Sequence, residues 1–271
     1  MLKTKSLVLL LAISLLHPTL ADAANIPVSV PGKTSNPQCS TSSNANAMAK
    51  ISVLKNANKN CQVFSKNLIA LWKFEGSDLG LDTLGHLNLT SQGFGSPQQA
   101  SGKFGMGLLL QGGAYIGLLG AINGLPSGNA SYSFSAWIKP DGLLSDVGGI
   151  VAYGENDIGK SNSLRLDGFS GIWHYWYAND FGFQASDSLV GNWNHIASTY
   201  DAISGIRNLY LNGQLMNSNS PSSPPIFSSS NLMIGKTTND SPFSGLIDEV
   251  AIFDTALSQA QIRQVMNGNY S

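Results

Sequence analysis

Charge is scarce in this chain. Lys, Arg, Asp and Glu make up 11% of its 271 residues and nearly cancel, leaving a formal net charge of −1. There is no basic run to bind nucleic acid or an anionic membrane surface, which disfavours both as partners. Glutamate is scarcer still: Glu75, Glu155 and Glu249 stand far apart. No strand therefore carries the paired carboxylates with which glycosidases flank a scissile bond. Asp248 and Glu249 are neighbours, and strand alternation sends neighbours to opposite faces. The run Asp167-Gly168-Phe169-Ser170-Gly171 lacks the residue that a nucleophile elbow keeps between its Ser and second Gly. No catalytic residue is assigned, and an enzyme is not expected. Cysteine is limited to Cys39 and Cys61. Without histidines at ligand spacing nearby, the pair reads as one disulfide closing a local loop in an exported protein.

Long apolar runs are also lacking, apart from Leu7 to Leu16. Behind Lys3 and Lys5, and ahead of Ala21-Asp22-Ala23, that run reads as a secretory signal over 1–23. It is too short to span a bilayer comfortably, so the expected product is secreted or periplasmic, with no membrane span. Residues 24–67 form a leader rich in Ser, Asn and Pro. From Leu68 the texture changes to short apolar segments punctuated by Gly, Asn and Pro, which predicts an all-β sandwich over 68–271. Strands are expected at Leu68–Glu75, Gly107–Gln111, Ala114–Leu118, Tyr132–Pro140, Gly149–Tyr153, Ser163–Leu166 and Ile172–Ala178. Further ones follow at Trp193–Tyr200, Asn208–Leu211, Gln214–Met216, Leu232–Gly235 and Gly245–Phe253. Asn212-Gly213 is a type I′ hairpin signal. Ser258 and Gln261 predict a capping box opening a short C-terminal helix, with Gly268 closing it.

On the last strand, period-two counting puts Leu246, Asp248, Val250 and Ile252 on one face and Ile247, Ala251 and Phe253 on the other. Asp248 then sits among apolar residues, where it needs backbone N–H donors or a cation. This strand and helix resemble the closing elements of laminin-G-like domains, among the concanavalin A-like lectin/glucanase jelly rolls. The same resemblance runs through Leu71-Trp72-Lys73-Phe74-Glu75, Gly105-Met106-Gly107-Leu108-Leu109-Leu110 and Tyr132-Ser133-Phe134-Ser135-Ala136-Trp137-Ile138-Lys139-Pro140. It continues in Trp193-Asn194-His195-Ile196-Ala197 and Leu209-Tyr210-Leu211-Asn212-Gly213. It implies a two-sheet antiparallel jelly roll and a recognition module for a glycan or glycoprotein. The alternative is a structural or adhesive domain working through protein–protein contacts.

Two sets of residues are candidates for a site. In Ile172-Trp173-His174-Tyr175-Trp176-Tyr177, alternation places Trp173, Tyr175 and Tyr177 together, a stacking platform for sugar rings if the face is open and ordinary packing if it is not. The loops Glu155-Asn156-Asp157 with Ser161-Asn162, and Thr237-Thr238-Asn239-Asp240, are rich in oxygen ligands. By the resemblance to pentraxins, whose equivalent loops hold calcium, Asn162 and Asn239 or Asp240 are candidate Ca2+ ligands, and Asp248 is a further candidate as a carboxylate that needs a cation or N–H donors. The other reading leaves two solvated polar loops and an Asp248 that organises backbone.

Overall fold

A computed structural model describes residues 66–142, 147–168 and 170–270. The signal, the leader and the Cys39–Cys61 pair lie outside the described residues. Two antiparallel sheets, their strands numbered in chain order, face each other. The first holds β1 (Leu68–Trp72), β3 (Gln98–Ser101), β4 (Met106–Leu110), β6 (Tyr132–Pro140), β11 (Asn194–Asp201), β12 (Ile206–Leu211), β13 (Gln214–Asn219) and β16 (Gly245–Phe253). Its order is β13-β12-β11-β6-β16-β4-β3, with β1 also paired to β16. The second holds β2 (Thr90–Gly93), β5 (Ala114–Ala121), β7 (Gly148–Gly154), β8 (Ser161–Asp167), β9 (Gly171–Tyr175), β10 (Phe181–Gln184), β14 (Ser230–Ile234) and β15 (Ser241–Pro242). Its order is β10-β9-β8-β7-β14-β5-β2, with the two-residue β15 running parallel to β7. This is the expected jelly-roll sandwich. No helix among the described residues is long and apolar enough to cross a membrane.

Alternation sets what each strand buries. Tyr132, Phe134, Ala136 and Ile138 of β6 join Trp72, Tyr153, Leu164, Ile172 and Trp176 in the core between the sheets. Asn212 (φ 49°) and Gly213 (φ 73°) make the expected tight turn between β12 and β13. The reading of β16 needs correction. Its register shifts between Asp248 and Ala251, and Glu249 takes φ 50°. This β-bulge moves the alternation by one residue. Ile247, Val250 and Ile252 therefore share the inter-sheet core, while Ala251 and Phe253 lie on the outer face. Asp248 stands opposite Trp137 on that outer face rather than alongside Val250.

Among the described residues one helix, α1 (Gln259–Met266), covers that outer face. Ile262 and Val265 pack with Leu71, Tyr210, Phe253 and Leu257. Trp137 Nε1 donates to the Met266 carbonyl at 3.1 Å. Ser258 and Gln261 form the predicted capping box. At the other end, Gly268 (φ 74°) and Asn269 donate to the Val265 and Gln264 carbonyls, a Schellman closure. Eight residues make a marginal helix by themselves, so the caps and the apolar face hold it. Ser258→Ala is expected to lower unfolding free energy by about 1 kcal/mol, read as a shift in a denaturant midpoint with unchanged slope. A midpoint equal to wild type would show that the cap is dispensable.

Candidate functional site

The outer face of the second sheet carries no helix among the described residues. On β9, Ile172 and His174 are fully buried in the core. Trp173 and Tyr175 must therefore stand on the outer face, where they pair with Arg165 and Ser163 of β8. Only glycine fits beneath Trp173: a Cβ on Gly182 would sit 2.5 Å from its ring. The Arg165 guanidinium lies over the Tyr175 ring, 4.1 Å from its centre. One guanidinium nitrogen, Nη1, reaches both Asp240 oxygens at 3.0 and 3.3 Å, and the other, Nη2, reaches Asp180 at 3.4 Å. Thr237 Oγ1 donates to Asp240 at 2.7 Å, and Lys236 Nζ donates to the Asp240 carbonyl at 2.8 Å. Asn239 Nδ2 reaches Tyr175 Oη at 3.3 Å and also bonds Asn156. The two loops singled out in the sequence thus meet over Tyr175.

Electrostatics follow from this crowding. Burial pushes the Tyr175 phenol up, and Asp180 and Asp240 add to the push against Asn239 and Arg165. Burial also holds the Asp180 carboxyl above the usual range, opposed by Arg165. Around the cluster, Ser161 Oγ, Ser163 Oγ, Arg165 Nε, Trp173 Nε1 and Thr238 Oγ1 are all buried without a hydrogen-bond partner.

The sequence-based candidates are distributed as follows. Tyr175 is 8% exposed beneath Arg165. Trp173 and Tyr177 are half-buried. The expected strand through Ala178 stops at Tyr175, because Tyr177 (φ 50°) and Ala178 (φ 64°) turn left-handed. The three rings therefore do not form one flat exposed platform. Asn162 turns inward, its amide donating to Tyr153 Oη at 3.0 Å and its oxygen lying 3.1 Å from His174 Nε2. Asp248 lies on the other sheet and accepts from the Lys103, Phe104 and Glu249 N–H groups at 2.8, 3.0 and 2.8 Å. Burial, chiefly, pushes its carboxyl up to about 7. Asn162, Asp248 and the Asn239–Asp240 pair thus occupy three separate places, and the four do not fit one calcium shell. Among the described residues no group of three or more His, Cys, Asp and Glu is arranged to hold a metal. Arg165 and Asp180 were missed in the sequence. The available signal was an arginine in period-two register with Ser161 and Ser163 on the same strand.

Residues 111–263 match the concanavalin A-like lectin/glucanases superfamily, more than half of the chain. The chain belongs to it. No curated protein sequence matches this jelly roll. Among solved structures it is similar to domain 4 of AbnA, a GH43 extracellular arabinanase from Geobacillus stearothermophilus, in complex with arabinotriose. Identity there is 28% and the TM-score 0.60, over 73% of this chain and 98% of that one. It is also similar to the ligand-binding domain of botulinum neurotoxin serotype D in complex with N-acetylneuraminic acid, at 18% identity and TM-score 0.61, over 77% of this chain and 52% of that one. The binding domain of paraclostridial mosquitocidal protein 1 shares 17% identity at TM-score 0.60, over 76% of this chain and 53% of that one. This chain spans about half the length of the two toxin domains.

Proposed function

We propose that the protein is an exported, non-catalytic module that binds carbohydrate, free or on a glycoprotein, at Trp173, Tyr175, Arg165 and the 237–240 loop. The observation that carries this reading is a half-buried Trp173 beside a carboxylate-bound Arg165 stacked on Tyr175, under the Asn239–Asp240 loop, on a sheet face that no described helix covers. Sugar hydroxyls supply both donors and acceptors, and sugar C–H faces pack on aromatic rings. The arabinotriose complex of the 28%-identical domain supports the same ligand class. Asp248 and Glu249 are 0% and 3% exposed and so closed to a substrate. Glu155 and Asp157 pair with Lys160 at 3.7 and 2.9 Å. These engagements support binding over hydrolysis. The sequence of the first 23 residues supports export, which a mature N-terminus at Ala24 would verify.

The test is an array of neutral and acidic glycans probed with protein whose fold is verified by circular dichroism. Trp173→Ala is expected to weaken the best ligand about tenfold, since a stacked ring contributes roughly 0.5–1.5 kcal/mol beyond its buried area. The absence of any glycan ligand would overturn the reading.

A further inference from the structure

A pocket of about 360 Å³ adjoins this site at the end of β9, walled by Ile158, Trp176, Tyr177, Ala178 and Asn179 with residues 222–226 opposite. That volume is at the lower end of small-molecule pockets, roughly 300–1,000 Å³. Its shape is set by interlocking bonds. Gly159 N–H is shared between the Trp176 and Tyr177 carbonyls at 3.1 and 3.3 Å, and Ile226 N–H donates to the Gly159 carbonyl at 2.9 Å. Asn179 is held from behind by Arg207, whose guanidinium reaches the Asn179 carbonyl at 2.9 Å and its side-chain oxygen at 3.2 Å. Arg207 in turn stacks on Trp176 at 4.0 Å. Two consecutive non-glycine residues in left-handed backbone cost energy, and these bonds keep Tyr177 and Ala178 there. The rim is apolar, with Ile158 65% and Ile226 57% exposed.

Two features define what the pocket accepts. No Lys, Arg, His, Asp or Glu lines it; its polar groups are the amide of Asn179 and the hydroxyls of Tyr177, Ser222 and Ser223. It is also joined to the first site, because the Tyr177 ring packs edge-on against Tyr175 with centroids 5.9 Å apart. At the first site the one guanidinium already faces two carboxylates. A sugar carboxylate there would meet Asp180 and Asp240, while the one Arg165 donor left unbonded, Nε, is buried. We infer that the pocket is a second subsite, reached across Tyr177, and that the ligand is a neutral oligosaccharide of at least two units rather than an acidic sugar. This rests on the carbohydrate-binding reading above.

The test titrates the full mature protein, by calorimetry, with neutral sugars of one to four units (arabino-, xylo-, cello- and galacto-series) and with the acidic probes sialyllactose and trigalacturonate. The best neutral trisaccharide is expected to bind at least tenfold tighter than its monosaccharide, and the acidic probes at least tenfold more weakly than that trisaccharide. Tyr177→Asn removes the ring while keeping a residue that tolerates left-handed backbone. It is expected to abolish the length dependence, bringing mono- and trisaccharide affinities within twofold of each other. Equal affinity for one and three units, or preference for an acidic probe, would overturn the subsite while leaving carbohydrate binding intact. Binding of no sugar at all would overturn both. The wild-type length series decides the matter by itself if the variant does not fold.

Discussion

Asp82→Ala is expected to destabilise the sandwich by about 4 kcal/mol, lowering the melting temperature by roughly 10 °C. Asp82 is 1% exposed and gathers four backbone N–H groups onto one carboxylate. Leu71 and Leu84 donate to Oδ1 at 2.8 and 3.1 Å, and His86 and Leu87 donate to Oδ2, each at 3.1 Å. The carboxylate thereby ties the loop after β1 back onto β1, beside the bond from Trp72 Nε1 to the Leu87 carbonyl. Hydrogen bonds to a charged acceptor contribute about 1.5–3 kcal/mol each, and a buried donor left without one costs a comparable amount. Water can reach Leu84 and His86, so the Leu71 and Leu87 amides dominate the loss. Asp82→Asn should fall between, since its single acceptor oxygen serves two donors while its amide faces the other two. Urea denaturation of the three proteins measures this directly. A change below about 1 kcal/mol for the alanine variant would mean that the loop is held by something else.

Asp82 escaped the sequence because nothing local marks a carboxylate that serves amides on both sides of a loop. The same limit explains the strands that were not anticipated. Thr90–Gly93 and Gln98–Ser101 have no apolar alternation, and their side chains are mostly exposed. What makes them strands is the ladder offered by β5 and β4, a tertiary fact. Where alternation was strong, as in Tyr132–Pro140 and Gly245–Phe253, the boundaries agree with the structure. Even in β16, however, the bulge at Glu249 reassigned Ile247 and Asp248, because a count of two per turn of the pleat cannot see an inserted residue.

The candidate site divides along the same line. Trp173 and Tyr175 were visible because β9 alternates, and Asn239 and Asp240 because polar loops stand out between strands. Arg165 joins Asp240 across 75 residues and Asp180 across 15. The β8–β9 register sets Arg165 opposite Trp173 and Ser163 opposite Tyr175, and the guanidinium reaches the Tyr175 ring on the diagonal. Asn162 shows the reverse case: a residue chosen for its loop chemistry lies within β8, where alternation turns it into the core.

His195→Gln is expected to remove about 3 kcal/mol of acid sensitivity. Burial depresses the His195 imidazole to about 3, and its Nδ1 is buried without a partner while Nε2 lies 2.8 Å from Ser135 Oγ. An imidazolium has two donors, and this site satisfies only one. A depressed folded pKa means stability that is present above the ordinary histidine value near 6.5 and lost as pH falls below it. From pH 7 to pH 4 the unfolded ring charges and the folded ring does not, a span of about 2.5 pH units at 1.36 kcal/mol each. The wild-type curve alone will not display this. Asp248, raised to about 7, contributes stability below the ordinary carboxylate pKa that is lost as pH rises through 7, so acidification restores what it withholds at neutrality. His174, depressed by burial and by Arg207, runs with His195. Both groups are present in wild type and variant, so they cancel when the pH 7 to pH 4 change is compared between the two. Glutamine keeps a polar atom near the Nε2 position and cannot charge. Guanidinium unfolding at both pH values should show wild type losing about 3 kcal/mol more than the variant. Equal losses would place the charging of His195 outside the acid response and require the ring to accept a proton in the folded state.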